Sequence, residues 1–178
     1  MEFLTSIPCL HRDLAARNVL VTKDNLIRIA DFGLARKSNK EYYRIQNSFD
    51  VPLPVRWMSP EAMQNLYFSE ASDVWSYGIL LYELFTLGGL PYPGMPDDKV
   101  PERVTNGERN PRPVYCHEEL YHLMLESWKE TPEERPKFTN CVEVLEDHLT
   151  RASPKMLSSL NSLLARERMV IDSYAEWR

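Results

Sequence analysis

The stretch HRDLAARNVLVTKDNLIRIADFG, residues 11–33, decides how the rest of the chain reads. A polar segment runs into NVLV (Asn18 to Val21), a β-rich apolar run, and LIRIA (Leu26 to Ala30) is a second. The turn-forming TKDN between them predicts a small hairpin. Asp13 and Asn18 lie on the loop that enters the first strand, and Asp31 leaves the second. An oxygen-rich set at one end of a hairpin suits Mg²⁺, a hard cation that also takes water and phosphate oxygens. The competing reading of Asp13 and Asn18 as an isolated pair is a simple turn cap.

Outward from this hairpin the chain turns helical. Residues 36–56 carry two prolines and two tyrosines without a clear period, and read as a long loop of the kind that is usually functional. From Ser69 an apolar helix is predicted, with Ser69 or Ser72 as its cap and Gly88-Gly89 as its end. Its run YGILLYELF, Tyr77 to Phe85, is interrupted by Glu83 and is far short of the about 20 residues of a membrane span. It is therefore a buried core helix, and no segment of the chain is expected to enter a membrane. A weak helix over 97–107 is disturbed by Pro101. Leu120, Leu123, Met124, Ser127 and Trp128 follow helical spacing, as do Phe138, Val142, Leu145 and Leu149. Met156, Leu160, Leu163 and Leu164 could line a further helix in a serine-richer tail. The expected fold is mainly α with one small β-hairpin. Its domain would cover residues 1–149 and its tail 150–178.

Composition narrows the function classes. At 43% hydrophobic and 26% charged, the 178 residues can bury a core and stay soluble. The net charge of −5 leaves no basic face for nucleic acid. Cys9, Cys116 and Cys141 are odd in number and widely spaced, which argues against a disulfide framework or zinc site and for a reducing compartment. The opening MEFLTSIPC lacks the basic and apolar regions of a signal peptide. His117, His122 and His148 show no metal-ligand spacing.

The ordered motifs resemble those of protein kinases. HRDLAARN resembles the catalytic loop and DFG (Asp31 to Gly33) the metal-binding element after it. SPE (Ser59 to Glu61) stands where the family usually has Ala-Pro-Glu. SDVWSYGILLYEL and WKETPEERPKF continue the family's order, so the resemblance spans about residues 1–149. Arg17, four residues after Asp13, resembles the tyrosine kinase arrangement, and so does LPVRWM (Leu53 to Met58). GGLPYPG and the pair Tyr42-Tyr43 are similar to receptor tyrosine kinases of the fibroblast growth factor receptor type.

The resemblance implies a protein kinase-like carboxy-terminal lobe that uses ATP and Mg²⁺ to phosphorylate a protein substrate on tyrosine. By this likeness Asp13 orients the substrate hydroxyl and accepts its proton, and Asn18 and Asp31 hold Mg²⁺ against the ATP phosphates. Arg17 offers positive charge near the transferred phosphate. Arg12 pairs with a phosphorylated Tyr42 or Tyr43, for which the plain alternative is two surface tyrosines. Pro54, Val55, Arg56 and Trp57 accommodate the substrate tyrosine. Asp73 anchors the catalytic loop, Glu61 and Arg135 form a buried ion pair, and His11, Trp75, Trp128 and Phe138 pack. Tyr174 could be a phosphotyrosine docking site.

No G-x-G-x-x-G occurs, and no strand bearing the phosphate lysine fits before His11. MEFL resembles the last turns of the helix that precedes the catalytic loop. The likeness therefore implies a kinase lacking its amino-terminal lobe: a truncated gene model, an internal start or a fragment. Negligible kinase activity is expected of such a chain alone, as is an uncovered face on the apolar helix. The alternative is a catalytically silent lobe that binds a full-length kinase as a regulatory module; a decayed product fits poorly with intact Asp13, Arg17, Asn18 and Asp31. The chain would be cytoplasmic, its parent a single-pass membrane receptor.

Overall fold

A computed structural model describes residues 1–23, 26–37, 42–44, 53–156, 158, 159, 162 and 165. The fold is mainly α. The elements are α1 (Glu2–Ser6), β1 (Cys9–Leu10), β2 (Val19–Val21), β3 (Ile27–Ile29), β4 (Arg36–Lys37), β5 (Tyr43–Arg44), α2 (Pro60–Asn65) and β6 (Tyr67–Phe68). They continue with α3 (Glu70–Phe85), α4 (Val100–Thr105), α5 (Glu118–Ser127) and α6 (Phe138–Ala152). The chain divides into two compact units, residues 1–139 and 140–178.

The expected hairpin is β2 against β3, antiparallel, with Val19 opposite Ile29 and Val21 opposite Ile27. Two further short pairs arise inside the segment read as loop. β4 pairs with β1, and β5 pairs with β6, placing Tyr43 opposite Phe68. Two-residue strands carry no periodic pattern, so only long-range pairing reveals them. Residues 38–41 and 45–52 of that loop lie outside the described residues, as do Leu160, Leu163, Leu164 and Tyr174.

Helix α3 is the central element. Ser69 caps it and Ser72 returns the bond, so both candidate serines serve one capping box. Val74, Trp75 and Ile79 are fully buried. Gly78 lets α5 approach: a Cβ there would sit 2.6 Å from Trp128 Nε1 and 2.9 Å from Ser127 Cβ. Pro101 does not disturb its helix, because it lies in the first turn of α4, where no intrahelical donor is needed.

One apolar cluster joins Leu14 of the catalytic segment to Val74, Leu80 and Phe138, with Val19 and Ile29 of the hairpin against it. A second gathers Leu10, Met58, Ala62 and Phe68, with Tyr43 and Leu53 packed on it. Residues 10–14 are thus seated from beneath by α3 and from the side by α2 and β6. The apolar run of α3 is covered except near its end, where Leu84 is exposed. The uncovered apolar side chains instead include Leu20, Val21 and Ile27 of the hairpin and Phe3 of α1. No helix among the described residues is long and apolar enough to cross a membrane. Cys9 is half-buried, and Cys116 and Cys141 are buried.

Candidate active site

The catalytic segment, residues 11–18, is held at its start by Asp73. This wholly buried carboxylate accepts the backbone N–H of His11 (2.8 Å) and of Arg12 (2.9 Å) through its two oxygens. Burial pushes its pKa up to about 6, against the pull of those two amides. Between them the backbone turns sharply: Arg12 has φ 68°, a left-handed conformation uncommon outside glycine. His11 is fully buried, its Nε2 3.1 Å from the Ala30 carbonyl and its Nδ1 accepting the Asp13 N–H at 3.3 Å. These partners set the neutral tautomer with the proton on Nε2, and burial holds the ring's pKa below its usual value. With both nitrogens committed, His11 packs and orients rather than acting as a base; its ring lies 5.0 Å from that of Phe32.

Asp13, Arg17 and Asn18 come together. Asn18 Nδ2 donates to the Asp13 carbonyl (2.7 Å) and to Asp13 Oδ2 (2.9 Å). Arg17 Nη2 donates to Asp13 Oδ1 in an ion pair four residues apart. The Asp13 carboxylate is thereby fixed from both oxygens. Because the amide nitrogen of Asn18 is committed to Asp13, its carbonyl oxygen is the end left to face a cation.

The hairpin register carries Asp31 to the same place. The Ala30 N–H donates to the Asn18 carbonyl (2.8 Å), so Asp31 emerges one residue past the partner of Asn18. Asp31 is exposed and left-handed (φ 59°), and its Oδ1 accepts the Gly33 N–H at 3.2 Å. An amide oxygen and a carboxylate on residues at the same end of the hairpin are donors of the hard-oxygen kind that Mg²⁺ prefers. Two of the left-handed non-glycine residues, Arg12 and Asp31, sit at this site, where such strain tends to gather.

The remaining candidates divide. Arg12 is buried, with Nη1 donating to the Leu34 carbonyl at 3.1 Å and its guanidinium 4.8 Å from the Tyr43 ring centre and 4.3 Å from that of Phe68. Its Nε is buried and has no hydrogen-bond partner among the described residues. Tyr42 faces outward and stacks on Tyr67, ring centres 4.1 Å apart. Pro54 and Val55 are half-exposed. The Arg56 side chain turns inward and is buried. Nε donates to Asp97 Oδ1 at 2.7 Å, and its other nitrogens bond the carbonyls of Pro91, Tyr92 and Met95. It ties residues 54–57 to the 91–97 connector and does not present its charge at the surface. Trp57 lies beneath Arg17, whose guanidinium carbon is 4.6 Å from the indole centre.

Sequence reading passed over Glu83. It is buried, and its Oε2 accepts both the Ala16 N–H (2.8 Å) and the Trp57 indole N–H (2.9 Å). The available signal was a single acid inside an otherwise apolar run. A buried carboxylate must find donors. Glu61 and Arg135 form the expected ion pair, bidentate at 2.7 and 2.9 Å.

Residues 1–145 match the family of protein tyrosine and serine/threonine kinases, and the chain belongs to that family. Among curated relatives, it is 47% identical over 178 residues to the tyrosine-protein kinase receptor ver-3 of Caenorhabditis elegans, covering 99% of this chain and 14% of that protein. It is 46% identical to the receptor-like tyrosine-protein kinase kin-15 of the same organism, covering 99% of this chain and 36% of that protein. The chain thus spans well under half the length of these relatives.

Proposed function

We propose that the chain is the catalytic-loop lobe of a receptor-type tyrosine kinase, which transfers the ATP γ-phosphate to a protein tyrosine when joined to an ATP-covering amino-terminal lobe. The observation that carries this reading is the convergence of Arg17 and Asn18 on the two oxygens of Asp13. Asp13 then orients the substrate hydroxyl and takes its proton, and Arg17 brings positive charge to the same point. Asn18 and Asp31 would hold Mg²⁺, which would supply positive charge to neutralise the phosphate. Pro54 and Val55 offer the half-exposed shelf for the substrate tyrosine, with Trp57 behind them. A fibroblast growth factor receptor-like kinship and a cytoplasmic position within a single-pass receptor are part of the same reading.

The two loop tyrosines take different roles in it. Tyr43 already lies over the Arg12 guanidinium, whose Nε is unpartnered, so a phosphate on Tyr43 is the one Arg12 is poised to bind. Tyr42, stacked on Tyr67, is the outward one.

A second reading draws on the exposed apolar side chains of the hairpin, Leu20, Val21 and Ile27. It makes the lobe a catalytically silent module that docks on a full-length kinase.

The deciding experiment compares tyrosine phosphorylation of a peptide by the purified chain alone and by the chain joined to an amino-terminal lobe. The joined protein is expected to be active, with Asp13→Asn lowering kcat by about 10²–10⁴-fold. The chain alone is expected to show negligible transfer. An inactive joined protein that binds Mg²⁺-ATP would overturn the enzyme reading in favour of the binding module.

A further inference from the structure

We infer that Glu83 is a positioning residue for the transfer step, a buried anionic latch that sets Arg17 against Asp13 by holding the catalytic segment and the substrate shelf to one oxygen atom. The inference rests on the tyrosine kinase reading above for its functional consequence, and on geometry alone for the latch itself.

Helix α3 presents Asp73, Ser76, Leu80 and Glu83 at intervals of three, four and three residues, which is one helical face. That face is where the site is assembled. Asp73 takes the N–H groups of His11 and Arg12. Ser76 donates its hydroxyl to the Trp57 carbonyl at 2.7 Å. Glu83 takes the N–H of Ala16 and the indole N–H of Trp57 on the same Oε2.

The consequences converge on Arg17. Ala16 is the residue immediately before it and opens the short helical turn Ala16–Asn18, so holding the Ala16 N–H fixes where the Arg17 side chain begins. Holding the Trp57 indole fixes the aromatic surface on which the Arg17 guanidinium rests. Arg17 is nearly half exposed and long, with several rotatable bonds that water would leave free. Its pairing with Asp13 needs a fixed origin and a fixed platform, and Glu83 supplies both. The carboxylate's charge strengthens each of the two donor bonds in a water-poor setting. Glu83 bonds both segments through one oxygen and itself touches none of the reacting atoms.

The test begins on the full 178-residue chain, where no activity is required. In a ¹⁵N-labelled sample the Trp57 indole signal is assigned from Trp57→Phe. Glu83→Leu is expected to shift the Arg17 guanidinium and Trp57 indole signals and to speed exchange of the Ala16 amide about tenfold or more, as loss of a charge-assisted bond implies. Glu83→Gln keeps an acceptor oxygen at the same reach and is expected to restore most of the wild-type Arg17 signal. Trp57→Phe deletes one N–H and is expected to move Arg17 while leaving Ala16 protected; it also decides the matter if Glu83→Leu does not fold. In the joined kinase, Glu83→Leu and Trp57→Phe are expected to lower kcat for peptide with the KM for ATP unchanged. Arg17 signals that stay in place in Trp57→Phe and in any folded Glu83→Leu would overturn the latch. A wild-type joined protein without transfer would instead overturn the kinase reading, and the Arg17 signals would still decide the latch.

Discussion

At the scale of single residues, the site is held by buried polar groups with few partners each, and these set its response to pH. His11 is favoured in its neutral form when folded, chiefly because burial penalises the charged ring. The unfolded chain takes up that proton near the ordinary value of 6.5, so the stability His11 contributes is present above pH 6.5 and is lost as pH falls below it. Asp73 works in the opposite sense. Its carboxyl, pushed up to about 6, retains a proton in the folded state that the unfolded chain has released above about 4, so this group favours folding as pH falls through that window. Urea unfolding at pH 7.5, 6.5 and 5.5 separates them. His11→Gln is expected to remove a loss of stability on acidification that wild type shows, and a wild-type slope unchanged by the substitution would contradict the account.

The Glu61–Arg135 pair makes a second prediction at this scale. Arg135 has a fully buried side chain and also donates to the carbonyls of Ala71, Lys129 and Glu130. Glu61→Ala leaves that charge without its carboxylate and is expected to lower unfolding stability by about 3 kcal/mol, read by urea titration. The pair was legible as sequence motifs, because each partner sits in a recognisable stretch. The inward turn of Arg56 was not. The direction of its side chain is set by the 91–97 connector, far along the chain, which supplies its partners.

At the scale of elements, α3 carries the argument. Removing its cap by Ser69→Ala breaks a capping box and is expected to cost about 1 kcal/mol. Gly78→Ala is a sharper probe. Alanine is the better helix former by about 1 kcal/mol, yet its Cβ would meet Trp128 and Ser127 inside normal contact distance. The clash is expected to win, with a net loss of about 1–2 kcal/mol, measured by the shift of the urea midpoint. A neutral or stabilising result would show that α5 can withdraw. The helices and the hairpin were legible because apolar periodicity and cap chemistry are local. The pairs β1–β4 and β5–β6 were hidden, since strands of two residues each exist only through partners distant in the chain.

At the scale of the whole molecule, the relation between site and catalysis depends on what covers the ATP phosphates. The chain contains the proposed metal-binding and base residues but no G-x-G-x-x-G, so on this proposal Mg²⁺-ATP bound to it alone would be held chiefly through Asn18 and Asp31. Weak nucleotide binding that needs Mg²⁺ and is lost in Asp31→Ala is expected by calorimetry; tight, Mg²⁺-independent binding would contradict it. The sequence by itself determined the family, the mainly helical fold and the hairpin, and it named Asp13, Arg17, Asn18 and Asp31 as the candidate set, because each is written in contiguous residues with local physical meaning. Only the tertiary structure decided that Arg56 faces inward, that Tyr43 rather than Tyr42 lies on Arg12, and that Glu83 joins Ala16 to Trp57. Those facts are contacts between segments dozens of residues apart, and which donor a buried carboxylate or guanidinium meets is settled by packing, not by its neighbours in the chain.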